Sequence, residues 1–217
     1  MADGLLQRHH VRILGQGQPL VLCNGFGCTQ QIWRHLLPGL SARYQLVLFD
    51  YVSVDEAGQP YATLAEYAHD VVAICRALEL PSIWVLAHSV GASIAMLTAI
   101  AAPELVERLI LLTPSPYYFN EGDYYGGFER EDVEQLLRQM TTDYGAWSHL
   151  FAGLLLGPLQ PAALGEELAE VFCQNDPAQV QHFAQVSFFT DSRKDVPVCG
   201  PARWWCNVIR TWLLHRK

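Results

Sequence analysis

The sequence predicts an α/β protein, a three-layer sandwich with a mostly parallel sheet and an inserted helical cap. Three observations carry that expectation. Over the first half of the chain, short apolar stretches alternate with helical ones, and each strand is apolar on both faces, as strands covered by helices on both sides are. Beyond Pro114 the texture changes to a run of helical patterns with no strand between them. Joining the two regimes is SIWVLAHSVGASIAMLTAIAA at residues 82–102, an apolar strand that turns sharply into an apolar helix.

Taken in order, residues 10–14 form a short strand and residues 15–19 (GQGQP) a turn. The apolar strand at 20–23 runs into Asn24-Gly25-Phe26-Gly27-Cys28, where two glycines let the backbone approach another segment closely. Residues 30–37 have helical spacing with Trp33 and Leu36 on one side, and Pro38-Gly39 is expected to end that helix. A buried strand follows at 45–50. The clearest helix spans 63–80, with Leu64, Tyr67, Ala68, Val71, Ile74, Cys75 and Leu78 repeating at three and four, a capping box at Thr63 and Glu66, and Pro81 closing it. After the 82–102 unit comes a strand at 108–113.

A loop rich in Tyr, Gly and Asp occupies 117–128, and helices are expected at 129–140, 144–156, 164–172 and 177–189. The implied organisation is an α/β core at 1–116, a helical cap at 117–190 and an atypical tail at 191–217. A cap in that place would sit over the carboxyl ends of the strands, where open α/β sheets bind ligands.

Composition bounds the function classes. At 217 residues the chain can hold one sizeable core, and 51% hydrophobic with 17% charged residues excludes disorder. A net charge of -8 offers no electrostatic footprint for nucleic acid or an anionic membrane. The N-terminus lacks the apolar run of a secretory signal, so the expected compartment is the cytoplasm. The cysteines at 23, 28, 75, 173, 199 and 206 lack C-x-x-C spacing and read as reduced, mostly buried thiols, with a disulfide framework or zinc site as the alternative. No cofactor or metal is implied. His9 and His10 read as surface residues rather than a metal site.

Ala87-His88-Ser89-Val90-Gly91 carries the chemistry. It has the G-x-S-x-G pattern of a nucleophile elbow, with alanine for the first glycine; the alternative is an ordinary turn containing a serine between a buried strand and helix. Small residues are needed there because strand and helix backbones come close while the central residue is strained. Ser89 would face the helix N-terminus, where free N–H groups favour developing negative charge. His88 should point away from it, as a packed or hydrogen-bonded histidine. Asp50, at the end of a strand, is a further polar residue at the same sheet edge.

NGFGCTQQIW, LVLFDYV, TLAEYAHDV, AHSVGASIAM, SPYYFN with DYYGGFE, and FFTDSRKD occur in this order from about residue 11 to 195. The chain thereby resembles the α/β-hydrolase group that contains the bacterial stress regulator RsbQ and the plant karrikin and strigolactone receptors, the bacterial regulator more closely. The resemblance implies a three-layer α/β-hydrolase sandwich and a serine hydrolase of small apolar ester or lactone-like ligands. It implies Ser89 as nucleophile and the backbone N–H groups of Phe26 and Val90 as oxyanion hole. Phe26, Tyr118, Phe128, Trp147, Phe151 and Phe188 would line an apolar ligand cavity. It also implies a PAS-domain phosphatase as partner in activating the sigma-B stress response, with a non-catalytic ligand sensor or an inactive truncated fragment as alternatives.

Two departures stand against the resemblance. Residues 53–60 replace a longer glycine-rich loop. The chain also stops where the family's last two strands and final helix would begin, so those elements are expected to be missing and the strand at 108–113 to stand as an apolar, aggregation-prone edge. Those strands carry the family's triad acid and base, which cannot be assigned here; the candidates by type are Asp191, Asp195 and His215. The tail reads as a changed frame, a gene lesion or a sequencing error. Read from each third codon base, Arg203-Trp204-Trp205-Cys206-Asn207-Val208 yields Leu, Met or Val, then Val-Val, Gln or a stop, then Cys or Arg, a strand of the family's kind.

Overall fold

The computed structural model describes residues 2–199 and, as backbone, residues 204–207. A six-stranded sheet in the order β1-β3-β2-β4-β5-β6 organises them. β1 (Arg12–Leu14) pairs antiparallel with β3 (Tyr44–Leu48). β2 (Gln18–Cys23), β3, β4 (Ile83–His88), β5 (Val106–Leu112) and β6 (Trp204–Asn207) run parallel.

The doubly apolar strands follow from what covers each face. Along β2, Val21 and Cys23 pack with α3 (Leu64–Ala77) and α4 (Val90–Ala101), whereas Leu20 and Leu22 pack with Trp33, Leu37 and Leu40 on the other side. α3 begins at Thr63, where the Glu66 carboxylate accepts hydrogen bonds from the N–H groups of Ala62 (2.8 Å) and Thr63 (2.7 Å). It buries Leu64, Tyr67, Ala68, Val71, Ile74 and Cys75 on one face.

The cap comprises α5 (Arg130–Thr142), α6 (Tyr144–Leu156), α7 (Ala162–Cys173) and α8 (Pro177–Phe189). Asp143 and Asp176 accept hydrogen bonds from first-turn N–H groups of α6 and α8, which satisfies donors that a helix start leaves open. Polar ties hold cap to core: Asn175 Nδ2 donates to the Gly27 carbonyl (2.9 Å), and His182 Nε2 donates to that of Tyr61 (2.6 Å). Cap and core share one hydrophobic cluster.

Four expectations need correction. β5 is not an unpaired edge: β6 lies parallel beside it, Leu109 opposite Trp204 and Leu112 opposite Asn207. The Trp-Trp-Cys-Asn stretch has the bulky, β-favouring composition of a strand in the frame as it stands. The helix expected at 30–37 is instead a 3₁₀ turn at Gln30–Trp33 followed by α2 (Leu37–Ser41), because Pro38 sits in the first turn of α2, where its missing N–H costs nothing. The chain start also forms a helix, α1 (Ala2–Arg8), and β1 begins only at Arg12. His9 is fully buried rather than on the surface, held by the Asp50 carbonyl at 3.0 Å and the Asp70 carboxylate at 3.3 Å, while His10 is exposed.

Candidate active site

Ser89 follows β4 directly and precedes α4, at φ 55°, ψ −124°. A non-glycine residue in that region is strained and persists only where its surroundings fix it. Here the fixing is explicit. Its N–H donates to the Leu112 carbonyl at 3.0 Å, and its carbonyl accepts from Ala92 at 2.9 Å. A Cβ on Gly91 would come within 2.4 Å of the Asn24 carbonyl oxygen and 2.6 Å of that of Cys23, so only glycine lets the 24–27 loop lie against the elbow. Asn24 pins that loop, donating to the Phe49 carbonyl (2.9 Å) and accepting from Trp33 Nε1 (2.6 Å). The two segments that carry Phe26 and Val90 are thereby brought together.

Ser89 opens on a cavity of about 530 Å³. Phe26, Tyr118, Phe128, Phe151 and Phe188 line it, and so does Val90. Trp147 does not: it is buried one layer behind, its ring stacked on Phe151 at 5.1 Å, and serves as core packing. Phe26 is the hub of the wall, with ring centroids 5.6 Å from Phe151 and 5.2 Å from Phe188. The lining also includes residues that the resemblance does not assign to it, among them Leu112, Tyr124, Leu155, Leu168, Ser187 and His88. Leu155 lies one helical turn beyond Phe151, a spacing that could have flagged it; nothing in the sequence marks Ser187. Among the described residues, no Asp, Glu, Lys or Arg lines the cavity.

Ser89 Oγ is 3.5 Å from the Tyr118 hydroxyl. Burial pushes the Tyr118 phenol up to about 12, so it stays protonated and is not a base for Ser89. Among the described residues no imidazole or carboxylate hydrogen-bonds Ser89. His88 lines the cavity, its Nδ1 buried and without a hydrogen-bond partner among the described residues, where a Cβ on Gly25 would meet it at 2.4 Å. Burial lowers its pKa and keeps the ring neutral. Asp50 is occupied structurally, accepting from Gln30 N at 2.7 Å and Gln30 Nε2 at 3.2 Å. Asp191 chelates Arg193, and that hydrogen bond holds its carboxyl below the usual range. Neither Asp191 nor Asp195 lines the cavity, and His215 lies outside the described residues. The 53–60 loop closes on itself through Asp55, whose carboxylate accepts from Ala57 and Gln59 (both 2.8 Å), and it too is absent from the lining.

With this geometry in place, its relatives are informative. Residues 18–147 match the alpha/beta hydrolase fold family. The chain is 36% identical to Karrikin insensitive 2 receptor CA of Petunia hybrida over 213 residues, 94% of this chain and 77% of that receptor. It is 36% identical to a strigolactone esterase of Arabidopsis thaliana over 169 residues, 75% of this chain and 63% of that enzyme. A solved hydrolase from Oleispira antarctica aligns at TM-score 0.85 and 33% identity, covering 91% of this chain and 76% of the other. An esterase from Exiguobacterium antarcticum shares the fold at TM-score 0.76 and 21% identity, over 87% of this chain and 72% of the other. No described helix is long and apolar enough to cross a membrane. By sequence, sheet order and elbow geometry, the chain belongs to the α/β hydrolase fold family.

Proposed function

We propose that this chain is a serine hydrolase of small apolar ester or lactone-like ligands, with Ser89 as nucleophile and the N–H groups of Phe26 and Val90 as oxyanion hole. The observation that carries this reading is Ser89, held at φ 55° on a strand-to-helix turn at the wall of a cavity of about 530 Å³. In the reaction Ser89 Oγ adds to the ester carbonyl carbon, and the alcohol leaves with the serine proton. Water then cleaves the acyl-serine, releasing the acid and restoring the hydroxyl. Val90 opens α4, so its N–H has no carbonyl partner within the helix and can bond the developing oxyanion. A wall whose described residues carry no charge favours a neutral substrate. A fluorophosphonate probe tests the reading: labelling is expected in the wild type and lost in Ser89→Ala, and an unlabelled wild type overturns it.

A second reading is a cytoplasmic, RsbQ-like ligand sensor that acts with a PAS-domain phosphatase in activating the sigma-B stress response. What favours it is the company Ser89 keeps. Among the described residues its hydrogen-bond partner is the protonated Tyr118 hydroxyl, and a serine paired with a phenol rather than a base is a weak nucleophile at neutral pH. Retention on an immobilised PAS-domain phosphatase that survives Ser89→Ala supports sensing; labelling without retention supports plain hydrolysis. An inactive fragment with a frame-shifted tail at 191–217 requires both tests to fail and resequencing over codons 194–200 to reveal a shifted base.

A further inference from the structure

The cavity wall holds a polar atom that the proposed reaction does not use. Ser187 on α8 lines the cavity beside Phe188, is 2% exposed, and its Oγ has no hydrogen-bond partner among the described residues. A helical hydroxyl commonly bonds back to the carbonyl four residues earlier. Four others among the described residues do so: Thr98 to Ile94 (2.8 Å), Thr142 to Arg138 (3.2 Å), Ser148 to Tyr144 (2.8 Å) and Thr190 to Val186 (2.5 Å). Ser187 lies inside α8, where such a bond is open to it, yet its Oγ makes none among the described residues. A buried, unpaired hydroxyl is costly in an apolar wall unless a ligand supplies the partner.

We infer that Ser187 is a specificity-determining residue, its hydroxyl bonding a neutral hydroxyl or carbonyl carried on the body of an otherwise apolar ester or lactone. The inference rests on the reading of the cavity as the ligand site. Ser89 and Ser187 line the same cavity from different elements, Ser89 at the start of α4 beside the Tyr118 hydroxyl (3.5 Å) and Ser187 on α8. Because no charged residue among the described ones lines the wall, a carboxylate would find no cationic partner among them, which favours a neutral group as the partner.

The test is calorimetric titration of the full chain, in a Ser89→Ala background that stops turnover. The probes are 3,4-dihydrocoumarin, a neutral lactone, and its 6- and 7-hydroxy derivatives. One hydroxylated lactone is expected to bind about three- to tenfold more tightly than the parent, the range one net hydrogen bond supplies. Adding Ser187→Ala should erase that preference while holding the parent's Kd within about twofold, since only the hydrogen bond is removed. Ser187→Thr should retain it. Equal binding of all three lactones, or a preference that persists in Ser187→Ala, overturns the assignment of Ser187 alone. Failure of every lactone to bind overturns the cavity reading and this inference with it. The melting midpoint of Ser187→Ala is expected at or above that of the parent protein, because an unpaired hydroxyl leaves the interior; a fall would show instead that the hydroxyl has a structural partner.

Discussion

Ser89 is strained where it stands, and the strain can be weighed against the reactivity it serves. At φ 55°, ψ −124° a glycine would rest without penalty, so Ser89→Gly is expected to raise unfolding stability by about 1 kcal/mol while abolishing probe labelling. The reverse holds two residues on. Gly91→Ala forces a Cβ within 2.4 Å of the Asn24 carbonyl oxygen, a backbone atom that cannot swing aside, and is expected to cost about 2–4 kcal/mol. Urea midpoints of the two variants check both signs, and a destabilised Ser89→Gly would refute the strain argument. The elbow was legible in the sequence because its chemistry imposes small residues at fixed spacing around one hydroxyl. Ser187 was not, because a single serine in an apolar helix looks like any other until the wall around it is known. Trp147 misled for a related reason: it lies one turn before Phe151 on α6, and spacing assigns a face but not the layer within it.

At the scale of elements, the clearest sequence signals were those with local causes. The limits of α6 and α8 coincide with the expected 144–156 and 177–189 because aspartate caps and flanking Gly157 and Pro177 fix them locally. The 3₁₀ turn and α2 were misread because proline serves equally as a terminator and as a first-turn residue, and only packing of Leu37 and Leu40 against the β2–β3 face selects the second role. β6 was misread for another reason. Its residues lack family resemblance, yet pairing with β5 needs only backbone groups and a β-favouring composition. The start of α3 offers a measurable case. Glu66 accepts from two backbone N–H groups and from Thr63 Oγ1 (3.0 Å), so Glu66→Ala is expected to lower stability by about 1 kcal/mol, with Glu66→Gln recovering part of it. A thermal scan in which Glu66→Ala melts with the wild type would show that the box contributes nothing.

On the scale of the whole molecule, cap and sheet form one cooperative body, and Phe26 is the joint. It belongs to the loop after β2, yet its ring meets Trp147 at 6.2 Å, Phe151 at 5.6 Å, Phe183 at 6.1 Å and Phe188 at 5.2 Å, all cap residues. The edge-on geometry of three of these pairs adds attraction beyond the area they bury. Removing the ring should therefore act on the cap more than on the sheet. Phe26→Ala is expected to cost about 3–5 kcal/mol, a large share of the roughly 5–15 kcal/mol that stabilises an ordinary domain. Native-state hydrogen exchange reads where that cost falls. In the wild type the slowest amides of α6 and α8 should be protected to the same free energy as those of β2 and β4, because one core cluster spans both. In Phe26→Ala, protection of α6 and α8 should drop below that of β4, the cap opening before the sheet unfolds. Equal losses in both regions would mean that cap and sheet are joined by the hydrogen bonds of Asn175 and His182 rather than by the aromatic cluster, and the ligand wall would then depend on those polar ties instead.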